Sequence, residues 1–403
     1  DCVYYGTFGG PWRGTCATCA RPETGAVLLR RSFMRILIFN WRDPSHPWAG
    51  GAEVFLHQVA RRWVRQGHPV TWFCGRYEGQ PARGCLDGSR IIRQGGIFGV
   101  YVRAAQCYLG QLRGRFDVIL DSANGIPFFT PLFSNIPKLA MVHHVHDRVF
   151  FRELPRHLAH LGCFLEQWCM PRFYRDVPFI TVSNSSRDAL VRLGIPPAQI
   201  STLYNAVDHT RYRPGLKSKT PLLVYLGRLR HYKSIDVALR ALPAVLRVVP
   251  DLRFSIAGSG LAETSLRALT RQLGLTDHVR FHGHVSDREK IRLLQQAHVT
   301  VNPSMKEGWG LTVLEANACG TPVVGANVAG LCDSIRHGET GLLVPYADPQ
   351  ALAACLQELL TDHDRRQEMS RNALAWAGCF HWDETAERGL ELLARCCDGR
   401  NGR

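Results

Sequence analysis

At 403 residues the chain is long for one domain and comfortable for two, each able to bury its own core. A content of 45% hydrophobic and 21% charged residues excludes a disordered or fibrous chain, and no apolar run approaches the length of a membrane-spanning helix. The net charge of +15 points to anionic partners and is uneven: residues 34–205 carry 20 Lys+Arg against 11 Asp+Glu, residues 206–403 carry 25 against 21.

In chain order, residues 1–33 come first and show no periodicity. They read as an atypical, disordered N-terminal extension, dispensable for folding. The apolar run Ala26–Leu29 is too short for a signal-peptide core. The 14 cysteines have no framework spacing, and Cys16-x-x-Cys19 lacks a second pair at zinc-site distance, so reduced thiols and a cytoplasmic protein are expected. From Met34, strands and helices alternate, which predicts doubly wound parallel sheets. Strands are expected at Ile36–Phe39, Val70–Cys74, Asp117–Leu120, Lys138–Val142 and Phe179–Val182. A helix is expected through Arg65, stopped by Gly67, and another from Ser185, capped by Ser183 or Asn184. Turn residues at Asn205–Gly215 mark a domain join. A second series follows, with strands at Leu222–Leu226, Arg253–Ala257, Val279–His282, Val299–Asn302, Pro322–Val324 and Gly341–Val344.

Five segments offer chemistry or a docking surface. In Lys306-Glu307-Gly308-Trp309-Gly310-Leu311-Thr312-Val313-Leu314-Glu315-Ala316, a helix opening at Gly310 presents the free N–H groups of Leu311 and Thr312 to an anion. Glu307 and Glu315 bracket that mouth, an arrangement suited to a ligand with both phosphate and hydroxyls. In Gly227-Arg228-Leu229-Arg230-His231-Tyr232-Lys233-Ser234, two cations five residues apart precede a helix and can neutralise a diphosphate, although a solvated basic loop has the same composition. Gly50-Gly51-Ala52-Glu53 follows the first strand and lets a backbone approach a ligand closely, or is simply a turn. His143, His144 and His146 crowd one strand end. Neighbours on a strand face opposite ways, which argues against a metal site. Residues 148–176 interleave basic and aromatic side chains. They read either as a core helix with a basic outer face or as a dock for an anionic membrane surface. The charge is not gathered into a nucleic-acid-binding module, so no nucleic-acid partner is expected.

The run from Glu307 to Ala316 resembles the E-G-F-G-L-x-x-L-E-A signature of the retaining glycosyltransferases of family 4, with Trp309 in place of Phe. The run from Gly227 to Ser234 resembles the same family's G-R-L-x-x-x-K-G, with Ser234 in place of Gly. The resemblance implies the GT-B fold: two Rossmann-like α/β domains with doubly wound parallel sheets, facing a central cleft. The acceptor-side domain would span 34–205 and the nucleotide-sugar domain 206–376, with a helix in 377–403 crossing back to the first domain. It further implies a nucleotide-diphosphate sugar as donor substrate, no cofactor and no metal. Arg228 and Lys233 would hold the diphosphate, Gly51 would approach the donor phosphate, Glu307 would bind sugar hydroxyls and Glu315 the ribose. One histidine would face the transferred sugar. By position that is His143, with His144 and His146 open as alternatives. A sugar-nucleotide epimerase or hydrolase, or a non-catalytic membrane-associated binder, shares these features.

Overall fold

The computed structural model describes residues 33–123 and 125–398. The expected extension up to residue 32 and the Cys16/Cys19 pair lie outside the described residues. The eleven cysteines within them are all free thiols.

The first domain is an eight-stranded sheet built from β1 (Ile36–Phe39), β2 (Val70–Cys74), β3 (Arg83–Leu86), β4 (Ser89–Arg93), β5 (Val118–Ala123), β6 (Lys138–Val142), β7 (Phe179–Thr181) and β8 (Ile200–Thr202). Their order is β3-β4-β2-β1-β5-β6-β7-β8. All pairs are parallel except β3–β4. The central strands read as unbroken apolar runs because helices cover both faces. The second sheet is wholly parallel: β9 (Leu222–Leu226), β10 (Arg253–Ala257), β11 (Val279–Gly283), β12 (Val299–Asn302), β13 (Val323–Ala326) and β14 (Gly341–Val344), in the order β11-β10-β9-β12-β13-β14. In both sheets the loops that matter for function leave the carboxyl ends of the strands.

Sequence reading misses β3, β4 and β8. The pair β3–β4 is an arginine-bearing hairpin at the sheet edge, turned by Asp87 (φ 45°) and Gly88 (φ 83°). An Asp-Gly dipeptide with both residues left-handed is the usual two-residue hairpin turn, so the signal was present. The helix expected after the two cations begins at Ile235, and Ser234 is left-handed (φ 51°). This explains why the resembling motif carries Gly there, and the substitution is strained rather than neutral.

The helix Gly51–Arg65 and the last helix, Trp382–Asp398, pack together on one face of the first sheet. Trp63 Nε1 donates to the Ala386 carbonyl at 2.8 Å, Arg62 pairs with Asp383, and Phe55 meets Trp382 edge-on at 5.8 Å. The chain therefore crosses between the domains twice, and the crossings run side by side: Val207 bridges His381, and His209 Nε2 lies 3.1 Å from the Phe380 carbonyl. Trp309 is buried against Tyr204 and Phe380 at this double crossing, which accounts for a large aromatic in the signature.

Candidate active site

The loops after β9, β10 and β11 are locked to one another, and this lock aims Arg228. Gly227 N–H donates to the Ala257 carbonyl and Gly258 N–H to the Gly283 carbonyl at 2.7 Å. A Cβ on Gly258 would overlap the Gly227 carbonyl, so the backbones touch with no room for a side chain. The Tyr225 hydroxyl donates to the Arg228 carbonyl at 3.1 Å. Held in this way, the Arg228 guanidinium reaches across to the first domain. Its Nη1 donates to the Trp48 carbonyl at 3.3 Å, Nη2 to the Tyr232 hydroxyl at 3.2 Å, and the guanidinium carbon lies 3.4 Å from where a Gly50 Cβ would stand. At Gly51 a Cβ would meet nothing within 4 Å, so the backbone there opens onto free space.

That glycine loop is organised from within by Glu53, which is wholly buried. Its Oε2 accepts from Gly50 N–H at 2.7 Å and its Oε1 from Arg42 Nε at 3.4 Å. A carboxylate in the first helical turn also suits the helix dipole.

Lys233 and Glu307 form the centre. Their Nζ and Oε1 are 2.5 Å apart, and the Ser304 hydroxyl lies 2.8 Å from the same oxygen. Burial works against the Lys233 charge, but the Glu307 carboxylate and Tyr232 together more than offset it, holding the ammonium above its usual range. Two close approaches fix the Glu307 loop. A Gly308 Cβ would stand 2.7 Å from the His143 carbonyl, and a Gly330 Cβ would overlap the Glu307 carbonyl. Gly310 (φ 89°) then turns the chain into the helix Leu311–Ala318. As its first two residues, Leu311 and Thr312 have no intrahelical acceptor for their N–H groups. Glu315, one turn on, is buried: Oε1 takes Lys290 Nζ at 2.5 Å, while Oε2 has no hydrogen bond. Burial and the Glu315 charge raise the pKa of the adjacent Tyr212 phenol. Tyr232 and Ser304, in or beside the two motif loops, support this site, as do Lys290 and Tyr212, which no motif announces because they come from other elements.

The three histidines diverge. His143 is buried edge-on to Phe55 at 5.7 Å, on the face of the sheet covered by helix Gly51–Arg65. Its Nε2 has no hydrogen bond, and burial pushes its pKa down to about 4 despite the Glu53 charge. His144 stacks on His146 at 4.3 Å, and His146 stacks on Phe150. His144 is the ring that feels the charges of Lys306 and Lys233. Burial first, and then these cations and its neighbouring histidines, push its pKa well down. Glu166, brought inward by the π-helical turn Leu165–Cys169, accepts from the His146 and Asp147 amides and so fixes this loop. Among the described residues no cluster of three or more His, Cys, Asp or Glu is arranged as a metal site.

Asp121 is fully buried and accepts from Phe128 N–H, Thr130 N–H and Oγ1, and the Tyr174 hydroxyl. It therefore builds the loop after β5.

Two Rossmann-like parallel-sheet domains, with an arginine of the second reaching a glycine loop of the first, define the GT-B architecture. The description Glycosyltransferase Family 4 matches residues 49–211 and Glycosyl transferases group 1 matches residues 207–376. The chain belongs to this family of glycosyltransferases. A D-inositol 3-phosphate glycosyltransferase of Thermobispora bispora is 35% identical over 245 residues, which is 55% of this chain and 57% of that protein. The chain thus spans little more than half the length of this curated relative. Sucrose-phosphate synthase from Thermosynechococcus elongatus superimposes with a TM-score of 0.76 at 21% identity, covering 90% of this chain and 98% of that one. HepE of Anabaena, solved in complex with UDP-glucose, superimposes at 0.73 and 18% identity, covering 90% and 100%. These structural likenesses carry the fold.

Proposed function

We propose that the chain is a retaining glycosyltransferase that moves a sugar from a nucleotide-diphosphate sugar to an acceptor hydroxyl without needing a metal. One observation carries the reading. Arg228 reaches the Gly50 loop of the first domain, and Lys233, close enough to feel its charge, pairs with Glu307. In this reading Arg228, Lys233 and the amides of Leu311 and Thr312 bind the diphosphate and stabilise its growing charge as it leaves. Glu307 holds sugar hydroxyls. The unpartnered Oε2 of Glu315 takes a ribose hydroxyl, which would satisfy a buried acceptor. His143 backs the sugar from the first-domain side through its loop. His144, nearer Lys233, is the second candidate for direct contact.

In the transfer, the bond from the anomeric carbon to the diphosphate oxygen breaks. A bond to the acceptor oxygen forms on the same face. The acceptor proton passes to the departing phosphate oxygen, so no protein nucleophile is needed. HepE was solved with UDP-glucose, which makes uridine nucleotides the first to try.

The same reading includes an anionic bilayer as partner for residues 148–176. Phe151, Leu161, Phe164, Trp168 and Phe173 are exposed there among Arg152, Arg156, Arg172 and Arg175. No described helix is long and apolar enough to cross a membrane.

The deciding test is thermal unfolding with UDP-, GDP-, ADP- and dTDP-sugars in the presence of EDTA, followed by an acceptor screen with whichever stabilises. A ligand that binds only the folded state raises the Tm by mass action. Stabilisation by one nucleotide sugar supports the reading. No shift at millimolar ligand defeats it, and nucleotide release without acceptor would make the chain a hydrolase.

A further inference from the structure

Two tyrosines hold Arg228 in opposite senses. Tyr225 is buried, and its hydroxyl donates to the Arg228 carbonyl at 3.1 Å, so its proton is committed inside the protein. Tyr232 is half-buried, on the short helical turn His231–Lys233. Its oxygen lies 3.2 Å from Arg228 Nη2. A guanidinium has donors only, so at this contact the phenol oxygen receives, and its own proton is turned away from Arg228.

The charged groups about that hydroxyl are cations from both domains. The Lys233 ammonium stands 4.9 Å from the centre of the same ring. Arg42 of the first domain, buried beside Glu53, is close enough for both Arg228 and Tyr232 to act on its charge. None of these three side chains can accept a hydrogen bond, whereas an anion held among them can. The ring is fixed from behind. The Tyr232 carbonyl accepts from Met305 N–H at 2.8 Å, which ties it to the loop that carries Ser304 and Glu307. In the sequence Tyr232 stands at an open position of G-R-L-x-x-x-K-G, so the signature assigns it nothing.

We infer that Tyr232 is a catalytic residue whose phenol donates a hydrogen bond to the diphosphate oxygen from which the sugar departs. The inference rests on the transferase reading. As the bond from the anomeric carbon to that oxygen breaks, the electron pair stays on the oxygen, which then takes the acceptor proton. Tyr232 keeps its own proton throughout. In the nucleotide sugar this atom is an ester oxygen and a weak acceptor. In the free nucleoside diphosphate it is terminal and charged. The phenol contact therefore strengthens as the bond breaks, which is the condition for speeding the reaction rather than merely tightening binding.

The test is calorimetric titration of the full chain and of Tyr232→Phe with UDP, GDP, ADP and dTDP, each paired with its glucose ester. Phenylalanine keeps the ring beside Lys233 and loses only the hydroxyl. For a pair that binds the parent protein, the variant should bind the free diphosphate about tenfold or more weakly, the loss expected for one hydrogen bond to a charged group. It should bind the sugar ester within about threefold of the parent. A tyrosine that only steadied Arg228 would weaken both members of the pair alike. Equal losses, or no loss for the diphosphate, overturn the inference and leave the transferase reading standing. No binding of any of these nucleotides by the parent protein overturns that reading, and the inference with it.

Discussion

Lys233 and Glu307 satisfy each other, so a bound donor must share or replace that pair. Losing one partner strands the other in a largely buried place, at a cost of about 3 kcal/mol. Lys233→Ala and Glu307→Ala should therefore each lower the Tm measured by calorimetry, abolish the nucleotide-induced shift and cut transfer by about 100-fold or more. Near-native transfer rates in either variant would remove both residues from the proposed chemistry. The motif made these two residues legible, but not their mutual pairing, because 74 positions separate them. His143 has a different signature. Its pKa is pushed down to about 4, against about 6.5 in an unfolded chain, so the unfolded state binds more protons between those values. Stability is then full above pH 6.5 and falls as the pH drops toward 4, by on the order of 3 kcal/mol from this residue. Urea unfolding at pH 7 and pH 4.5 should show the loss, and His143→Asn should flatten it. An unchanged slope in the variant would mean that other groups carry the dependence.

At the scale of elements, the site depends on backbone contacts that no side-chain pattern encodes. The three locked loops that aim Arg228 meet at Gly227 and Gly258, and Gly258→Ala would force one backbone off the other. It should cost about 2 kcal/mol or more in urea unfolding and weaken nucleotide binding; a neutral effect on both would show that the lock is slack. The buried strands were readable because parallel strands covered on both faces are continuous apolar runs. The hairpin β3–β4 was not, since arginines punctuate it, and only its Asp-Gly turn gave it away. Residues 148–176 present one buried and one exposed face. Ala159, Gly162, Glu166, Cys169 and Met170 face inward, while Phe164 and Trp168 stack on each other at 5.2 Å outside, with Arg172 over the Trp168 ring. If that face meets anionic lipid, Arg152→Glu with Arg172→Glu should reduce co-sedimentation with phosphatidylglycerol-containing vesicles several-fold, at unchanged Tm. Equal partitioning by the variant and the parent protein would leave the stripe without a bilayer role.

For the whole molecule, the two-sheet α/β architecture was legible in the alternation of strands and helices. What could not be read was how the parts share surfaces. Trp309 sits in one domain's signature yet packs at the double crossing, and Glu153 of the first domain pairs with Arg230 of the second at 3.3 Å. The helix Trp382–Asp398 belongs by position to the end of the chain and by packing to its beginning. It buries Trp382, Ala386, Leu390 and Leu393 in the core that Trp63 and Phe55 begin. Deleting 382–398 should lower the Tm by well over 10 °C and raise dye binding to exposed apolar surface, since several buried side chains at about 1.5–3 kcal/mol each are lost. A deletion that melts normally would show the first domain to be self-sufficient. The same helix also sets a schedule for biosynthesis. Residue 205 leaves the ribosome long before residue 382, and at about 5–20 residues per second the delay is roughly 10–40 s. Throughout that interval the face of helix Gly51–Arg65 around Trp63 has no cover, so the nascent first domain waits, sticky and incomplete, for the second to be made.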